Sequence, residues 1–281
     1  MTTTDFSLGG DLTINRLGFG AMRLAAAGGF TGPARAPEEG VAVLRRAVEL
    51  GVNHIDTAGF YNRGDVRAND LIRTALAPYR DGLVIATKVG PLMGPDGWPS
   101  GEAKPEQLRG LVEADLRALG LDRLDLVYLR VGGTAEPGGV SIAERFAALD
   151  ELRSEGLIRH LGVSHVDAEQ FAEARRIAPV AAVQNRFTGD EELLAACEAD
   201  GIAYVPYFPL GGGREQVRAE ALAKVAARHG ATSAQVAIAA LLASSPVVVT
   251  IPGTGSLDHL EENIAAADLV LTEEDLAELR G

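Results

Sequence analysis

Cysteine is almost absent from this chain: its 281 residues include one, Cys197. That excludes an intrachain disulfide framework and suits a reducing compartment. Cys197 ends the apolar helical face Leu193-Leu194-Ala195-Ala196-Cys197 and reads as a buried structural thiol. Basic charge is also short. Lys and Arg number 26 against 39 Asp and Glu, a formal net charge of −13, so no basic field exists to draw nucleic acid or an anionic membrane. Long hydrophobic runs are missing too; 231–249 comes closest to spanning length but contains Gln235 and Pro246. Met1-Thr2-Thr3-Thr4-Asp5 has no basic n-region and no apolar run behind it, so a cytoplasmic protein is expected. There is no His-Glu-x-x-His, no paired Cys and no His/Asp cluster, so no metal is expected. Neither a linker nor a low-complexity segment interrupts 1–281, and a single domain is expected.

What the chain does have is alternation. Short apolar or β-branched runs fall at about 16–20, 52–56, 83–88, 125–129, 158–163, 180–184, 202–206 and 247–251. Segments of helical period lie between them: 38–50, 68–76, 105–119, 142–155, 168–177 and 191–200, with 215–229 and 233–242 before the eighth run. Eight strand–helix units imply parallel strands with right-handed crossovers, which can close into a (β/α)8 TIM barrel of the α/β class. Residues 5–14, with Gly9-Gly10 as the turn, predict an N-terminal β-hairpin within residues 1–15.

Three polar residues stand at or just past strand ends. Asp56 closes Val52-Asn53-His54-Ile55, Tyr61 follows five residues later, and Lys88 closes Leu83-Val84-Ile85-Ala86-Thr87. A carboxylate, a phenol and an amine gathered at the C-terminal face of a barrel can form one acid–base centre. An ammonium beside a phenol favours the phenolate, so Lys88 is expected to bring the Tyr61 pKa down toward neutrality. A buried ion pair bracing the barrel is the structural alternative for Asp56 and Lys88. The fourth strand ends in Arg130, which offers only donors and stays charged; a salt-bridged Arg facing an acidic loop is its alternative. His54, inside a strand, is expected to be a hydrogen-bonded core residue.

Asp56-Thr57-Ala58 with Tyr61, Ala86-Thr87-Lys88, Gly162-Val163-Ser164, Gln184-Asn185 and Ile251-Pro252-Gly253 with Glu262-Asn263 together resemble the aldo-keto reductase signature, in the family's order, from about Arg16 onward. The family is known for Asp, Tyr, Lys and His at its active centre, and here the His position reads Arg130. That departure, with Tyr207-Phe208-Pro209-Leu210-Gly211-Gly212, is similar to the pyridoxal reductase branch. The resemblance implies the same barrel, and a catalytic set of Asp56, Tyr61, Lys88 and Arg130. It implies reduction of an aldehyde or ketone by hydride transfer, Tyr61 giving the proton and a pyridoxal-type aldehyde the first substrate to try.

The implied cofactor is NADPH, with NADH possible. Gly18-Phe19-Gly20-Ala21-Met22-Arg23 is only half a dinucleotide fingerprint, which rejects a Rossmann reading; Gly20 and Met22 are the candidates there, a tight turn the alternative. The segment 248–256, with its Gly residues and small side chains, exposes backbone N–H groups ahead of a helix over 257–267, with Ser256 as its N-cap; this is an anion site or an ordinary capped helix start. By resemblance Ile251, Gly253, Thr254 and His259 meet the adenosine phosphates, and Glu262 and Asn263 lie near the adenine. Ser164, His165 and Gln184 would hold the carboxamide, although the family usually has Asn at position 165. Tyr207 would stack on the nicotinamide, or is a core aromatic within Tyr204-Val205-Pro206-Tyr207-Phe208. Pro209, Leu210, Gly211 and Asp56 complete the cofactor set. Thr254 and His259 stand where many relatives put a hydroxyl and an Arg against the 2′-phosphate, and His259 loses the permanent fork.

Trp98 and the glycines at 132–139 and 211–213 read as loops over the site, Trp98 an apolar wall of the pocket or a cover on the rim. Two other readings stay open: reduction of a different carbonyl in a specialised biosynthetic pathway, and a non-catalytic nicotinamide-nucleotide-binding protein. Retention of Asp56, Tyr61 and Lys88 together argues against the second. The expected partner is a small carbonyl substrate; oligomeric state has no signal in the sequence.

Overall fold

A computed structural model describes residues 5–28, 31–94, 97–132, 137–186, 191–207 and 215–280. Its centre is a parallel sheet of strands in chain order: Phe19–Gly20, His54–Asp56, Val84–Val89, Leu124–Arg130, Ile158–Ser164, Val180–Gln184 and Ala203–Tyr204. The eighth run, 247–251, forms no continuous strand. Pro246 and Pro252 bracket it and neither can donate to a ladder. Two parallel bridges, Tyr204↔Val248 and Leu17↔Thr250, still tie it to the seventh and first runs and close the ring. The strands next to this seam are shorter than the sequence predicts, because closure is carried there by isolated bridges.

The helices match the sequence pattern closely, at Pro37–Glu49, Ala68–Leu76, Pro105–Leu119, Ala143–Ser154, Ala168–Ile177, Glu191–Asp200, Glu215–His229, Ser233–Ser244 and Leu257–Ala265. Local chemistry sets their starts. Pro37 and Pro105 occupy first-turn positions, and Asp167 with Gln170 and Thr232 with Gln235 form capping boxes. A last helix, Glu273–Arg280, lies beyond the strand–helix units that the sequence pattern predicts. Among the described residues no helix is long and apolar enough to cross a membrane.

Asp5–Leu8 and Leu12–Asn15 pair antiparallel as the expected hairpin. Leu8 and Ile14 are fully buried among Val84, Leu126, Tyr128 and Val249 inside the barrel, where each contributes roughly 1.5–3 kcal/mol. Asp11 holds Arg159 at 2.7 Å and His160 at 2.5 Å, at the start of the fifth strand. The hairpin therefore plugs the N-terminal end. Gly9, at φ +62°, lies directly on the His160 ring and leaves no room for a Cβ.

Three small hairpins that periodicity did not reveal rise from the opposite face: Ala26–Gly28 with Thr31–Ala34, Asn62–Arg63 with Val66–Arg67, and Pro91–Met93 with Pro99–Glu102. Two-residue and bulged strands are too short to show a period. Glu102 pins the third, accepting from the Gly132 amide and ion-pairing Arg145 at 2.8 Å. Trp98 on this hairpin is 42% exposed, at the rim.

Candidate active site

Strand alternation decides which side chains enter the barrel. In register, Gly20 faces Asp56, Asp56 faces Ala86, Tyr128 faces Lys88, Arg130 faces Ser164, and Ser164 faces Gln184. Asp56 and Lys88 point inward while their neighbours Thr57 and Thr87 point to the helix layer. The Lys88 ammonium lies 2.5 Å from Asp56 Oδ1 and donates to the Thr57 carbonyl at 2.9 Å. Gln184 Nε2 donates to the other Asp56 oxygen at 2.7 Å. The turn after the second strand, closed by Tyr61 N donating to Ala58 O at 3.0 Å, folds the phenol over this pair. Lys88 Nζ sits 4.9 Å from the Tyr61 ring centroid, and the two side chains share a hydrogen bond.

Burial governs the protonation states. Lys88 is 3% exposed and Asp56 2%. Burial alone would push the Lys88 ammonium down, but Asp56, then Tyr61, and the hydrogen bonds to both hold it above its ordinary value. Tyr61 goes the opposite way from the sequence expectation. Burial lifts its phenol above the usual range; Lys88 and Arg130 pull it down as expected, but desolvation outweighs them, and Asp56 adds to the rise. The phenol is thus fully protonated at neutral pH. His54 is a second correction: both ring nitrogens are buried with no hydrogen-bond partner. Burial pushes its pKa down to about 4, so the ring is neutral at pH 7.

Arg130, half-buried, reaches outward along the rim. Its Nη1 donates to the Tyr207 hydroxyl at 3.2 Å, its guanidinium lies 5.3 Å from that ring centroid, and His165 Nδ1 is 2.9 Å from the same hydroxyl. His165 has φ +61°, in the left-handed region where His, Asn and Asp are enriched among non-glycine residues, and its amide donates to the Gln184 carbonyl at 3.0 Å. Arg130, Tyr207 and His165 so form one rim cluster beside Gln184.

Several observations fit a nicotinamide dinucleotide. Ser164 Oγ is buried with no partner, next to Gln184 in register, and so has capacity for a carboxamide. A Cβ on Gly20 would sit 2.6 Å from the Ile251 carbonyl, and one on Gly253 would strike the Gly20 carbonyl. The ends of the first and eighth runs therefore meet backbone to backbone, with Met22 and Ile251 half-buried beside them. Thr254 is buried and accepts from the Ser256 amide at 3.0 Å; Ser256 Oγ caps the last barrel helix through the His259 amide at 3.4 Å. Glu262 and Asn263 are half-buried on that helix, and the His259 side chain is exposed. Arg35, which sequence reasoning missed, packs its guanidinium on Gly255, and no local pattern links the two. Pro209, Leu210 and Gly211 lie outside the described residues, as does part of the loop over 132–139.

The aldo/keto reductase family model matches residues 16–281. The chain belongs to the aldo/keto reductase family. Pyridoxine 4-dehydrogenase of Escherichia coli (strain K12) is 46% identical over 287 aligned residues, spanning 100% of this chain and 99% of that one. An uncharacterized oxidoreductase of Schizosaccharomyces pombe is 39% identical, over 96% of this chain and 87% of its own. Among solved structures, a thermostable aldo-keto reductase in complex with the inhibitor epalrestat superposes with a TM-score of 0.81 at 30% identity, covering 99% of this chain and 98% of that one. An aldo-keto reductase from Klebsiella pneumoniae in complex with NADPH gives 0.79 at 28% identity, over 99% and 94%. The barrel and hairpin are the fold of this family.

Proposed function

We propose that this aldo/keto reductase reduces an aldehyde with NADPH, and that pyridoxal is its substrate. The observation that carries the reading is the chain Asp56–Lys88–Tyr61: a 2.5 Å buried ion pair whose ammonium also touches the phenol. Ser164 and Gln184 would hold the carboxamide, Gly20, Met22, Ile251 and Gly253 the backbone-lined path, and Thr254, His259, Glu262 and Asn263 the adenosine end. The bound reduced nicotinamide supplies the hydride.

The protein's own residues do the rest. Tyr61, which burial keeps protonated against the pull of Lys88 and Arg130, donates its proton to the carbonyl oxygen as negative charge develops there. Lys88 then stabilises the phenolate left behind, and Asp56 keeps Lys88 charged and in place. The same desolvation that raises the phenol's pKa strengthens the Lys88–phenolate attraction once that charge forms. Arg130 adds positive charge at the rim, where it can hold the phenolate oxygen that pyridoxal carries beside its aldehyde. Support for that substrate is the 46% identity with a pyridoxine 4-dehydrogenase over the whole chain.

The test is NADPH oxidation across an aldehyde and ketone panel that includes pyridoxal, with Tyr61→Phe alongside. Pyridoxal should give the highest kcat/KM, and Tyr61→Phe should cut turnover by about two to four orders of magnitude while NADPH still binds. Nearly unchanged turnover in Tyr61→Phe would remove Tyr61 from the acid role. Pyridoxal ranking below simple aldehydes would remove it as substrate.

A further inference from the structure

The apolar stripe of helix Pro105–Leu119 runs through Leu108, Val112 and Leu119, and it contains one acid, Asp115, only 3% exposed. A carboxylate in the core face of a helix is costly unless something uses it. Asp115 sits behind the sheet, on the opposite side of the second and third strands from the acid–base residues.

Its contacts form a closed ring. Thr87 Oγ1 donates to Asp115 Oδ2 at 2.6 Å, and Asn69 Nδ2 donates to Oδ1 at 3.0 Å. Asn69 Oδ1 in turn accepts from Thr57 Oγ1 at 2.8 Å. The Thr57 carbonyl accepts from Lys88 Nζ at 2.9 Å, and Lys88 is joined through its peptide bond back to Thr87. Thr57, Thr87 and Asn69 are all buried, at 0%, 0% and 4% exposure. The Gly59 backbone lies so close to Asp115 Oδ1 that no Cβ would fit. Both residues that flank the ion pair in sequence, Thr57 after Asp56 and Thr87 before Lys88, are thus tied to one carboxylate.

We propose that Asp115 is a positioning residue for the acid–base centre: by holding Thr87 directly and Thr57 through Asn69, it fixes the Lys88 ammonium against Tyr61. The geometry requires an acceptor at both carboxylate oxygens, since a Thr hydroxyl donates to one and an amide NH2 to the other. An amide in place of the acid satisfies one donor and opposes the other. Burial lifts the Asp115 pKa to about 6, against the pull of Thr87, Asn69 and Lys88, so the double acceptor is the form present at neutral pH.

The kinetic part of the test rests on the reduction reading; a spectroscopic part does not. Asp115→Asn and, as a second isosteric break in the same ring, Thr87→Val are compared with the wild type. In each, kcat should fall about tenfold, the equivalent of one lost hydrogen bond in the transition state, while KM and the NADPH dissociation constant stay within about twofold. With 13C-labelled tyrosine, and the Tyr61 resonance assigned by its loss in Tyr61→Phe, the Tyr61 titration midpoint should move to higher pH in both variants. That direction follows because Lys88 is the strongest influence lowering it. An unmoved Tyr61 midpoint in both variants overturns the proposal, even where kcat falls, because the effect then does not run through Lys88. Parallel losses of kcat, NADPH affinity and thermal midpoint also overturn it and leave Asp115 a general core contact. A wild type that reduces no carbonyl refutes the functional reading alone, and the Tyr61 titration still decides the role of Asp115.

Discussion

Replacing Lys88 by Met removes the cation from the most buried ion pair in the molecule's described residues and leaves its partner in place. Asp56, 2% exposed, would keep Gln184 as a donor at 2.7 Å but lose an ammonium at 2.5 Å. Stranding a buried carboxylate in this way costs about 3–5 kcal/mol, more than the attraction itself was worth, because the charge has no water to return to. The lost bond to the Thr57 carbonyl adds about 1 kcal/mol. Adding Asp56→Asn removes the stranded charge, so the double variant should be more stable than Lys88→Met alone. Coupling between the two sites should reach about 2 kcal/mol or more in the cycle. The assay is equilibrium urea unfolding of the four proteins at pH 7, followed by far-UV circular dichroism. A cost below about 1 kcal/mol for Lys88→Met, or strict additivity in the double variant, refutes the uncompensated-charge argument. Turnover should be lost as well, since Tyr61 would keep its burial without the group that most opposes it.

Ser164→Ala should leave unfolding stability unchanged or slightly raised, because the hydroxyl is buried without a partner; NADPH affinity, read by calorimetry, should fall about three- to tenfold. Equal affinity in the two proteins would place the carboxamide elsewhere. His54 makes stability pH-dependent: its unfolded pKa is near 6.5 and its folded value about 4, so the unfolded chain takes up a proton first. Its contribution is complete above pH 6.5 and is lost as pH falls toward 4, amounting to about 3 kcal/mol. Asp115, raised from 3.8 to about 6, works against this, since its contribution is present below pH 3.8 and lost as pH rises through 6. His54→Leu should therefore remove the acid-side decline in urea midpoint between pH 6.5 and 4; an unchanged decline would assign it to other groups.

Much of this protein was legible in its sequence because helices and strands announce themselves locally. A 3.6-residue period marks 105–119, a β-branched run marks 180–184, and the structure gives those spans unchanged as Pro105–Leu119 and Val180–Gln184. Once strands and helices alternate, the barrel follows, and with it the gathering of Asp56, Lys88, Arg130, Ser164 and Gln184 at one end. Side-chain pairing across the barrel is a different kind of information. Gln184 reaches Asp56 across 128 residues and Asp115 reaches Asn69 across 46, and no window of sequence contains either pair. The same holds for Arg35 against Gly255 and for the bridges that stand in for an eighth strand.

Protonation was decided only by the tertiary structure. Sequence placed Lys88 near Tyr61 and implied a lowered phenol, because the sign of a charge can be read from a residue's identity. Burial cannot be read that way: it depends on how many other segments close over the site, and at Tyr61 it outweighs the ammonium beside it. His54 differs from its expectation for the same reason, an imidazole sealed in the barrel without the partner that local reasoning supplied. The sequence by itself determined which elements form, their order and which chemical groups stand at the strand ends. Only the tertiary structure decided what those groups touch and which of them stay charged, because desolvation and long-range contact arise from packing and have no local signature.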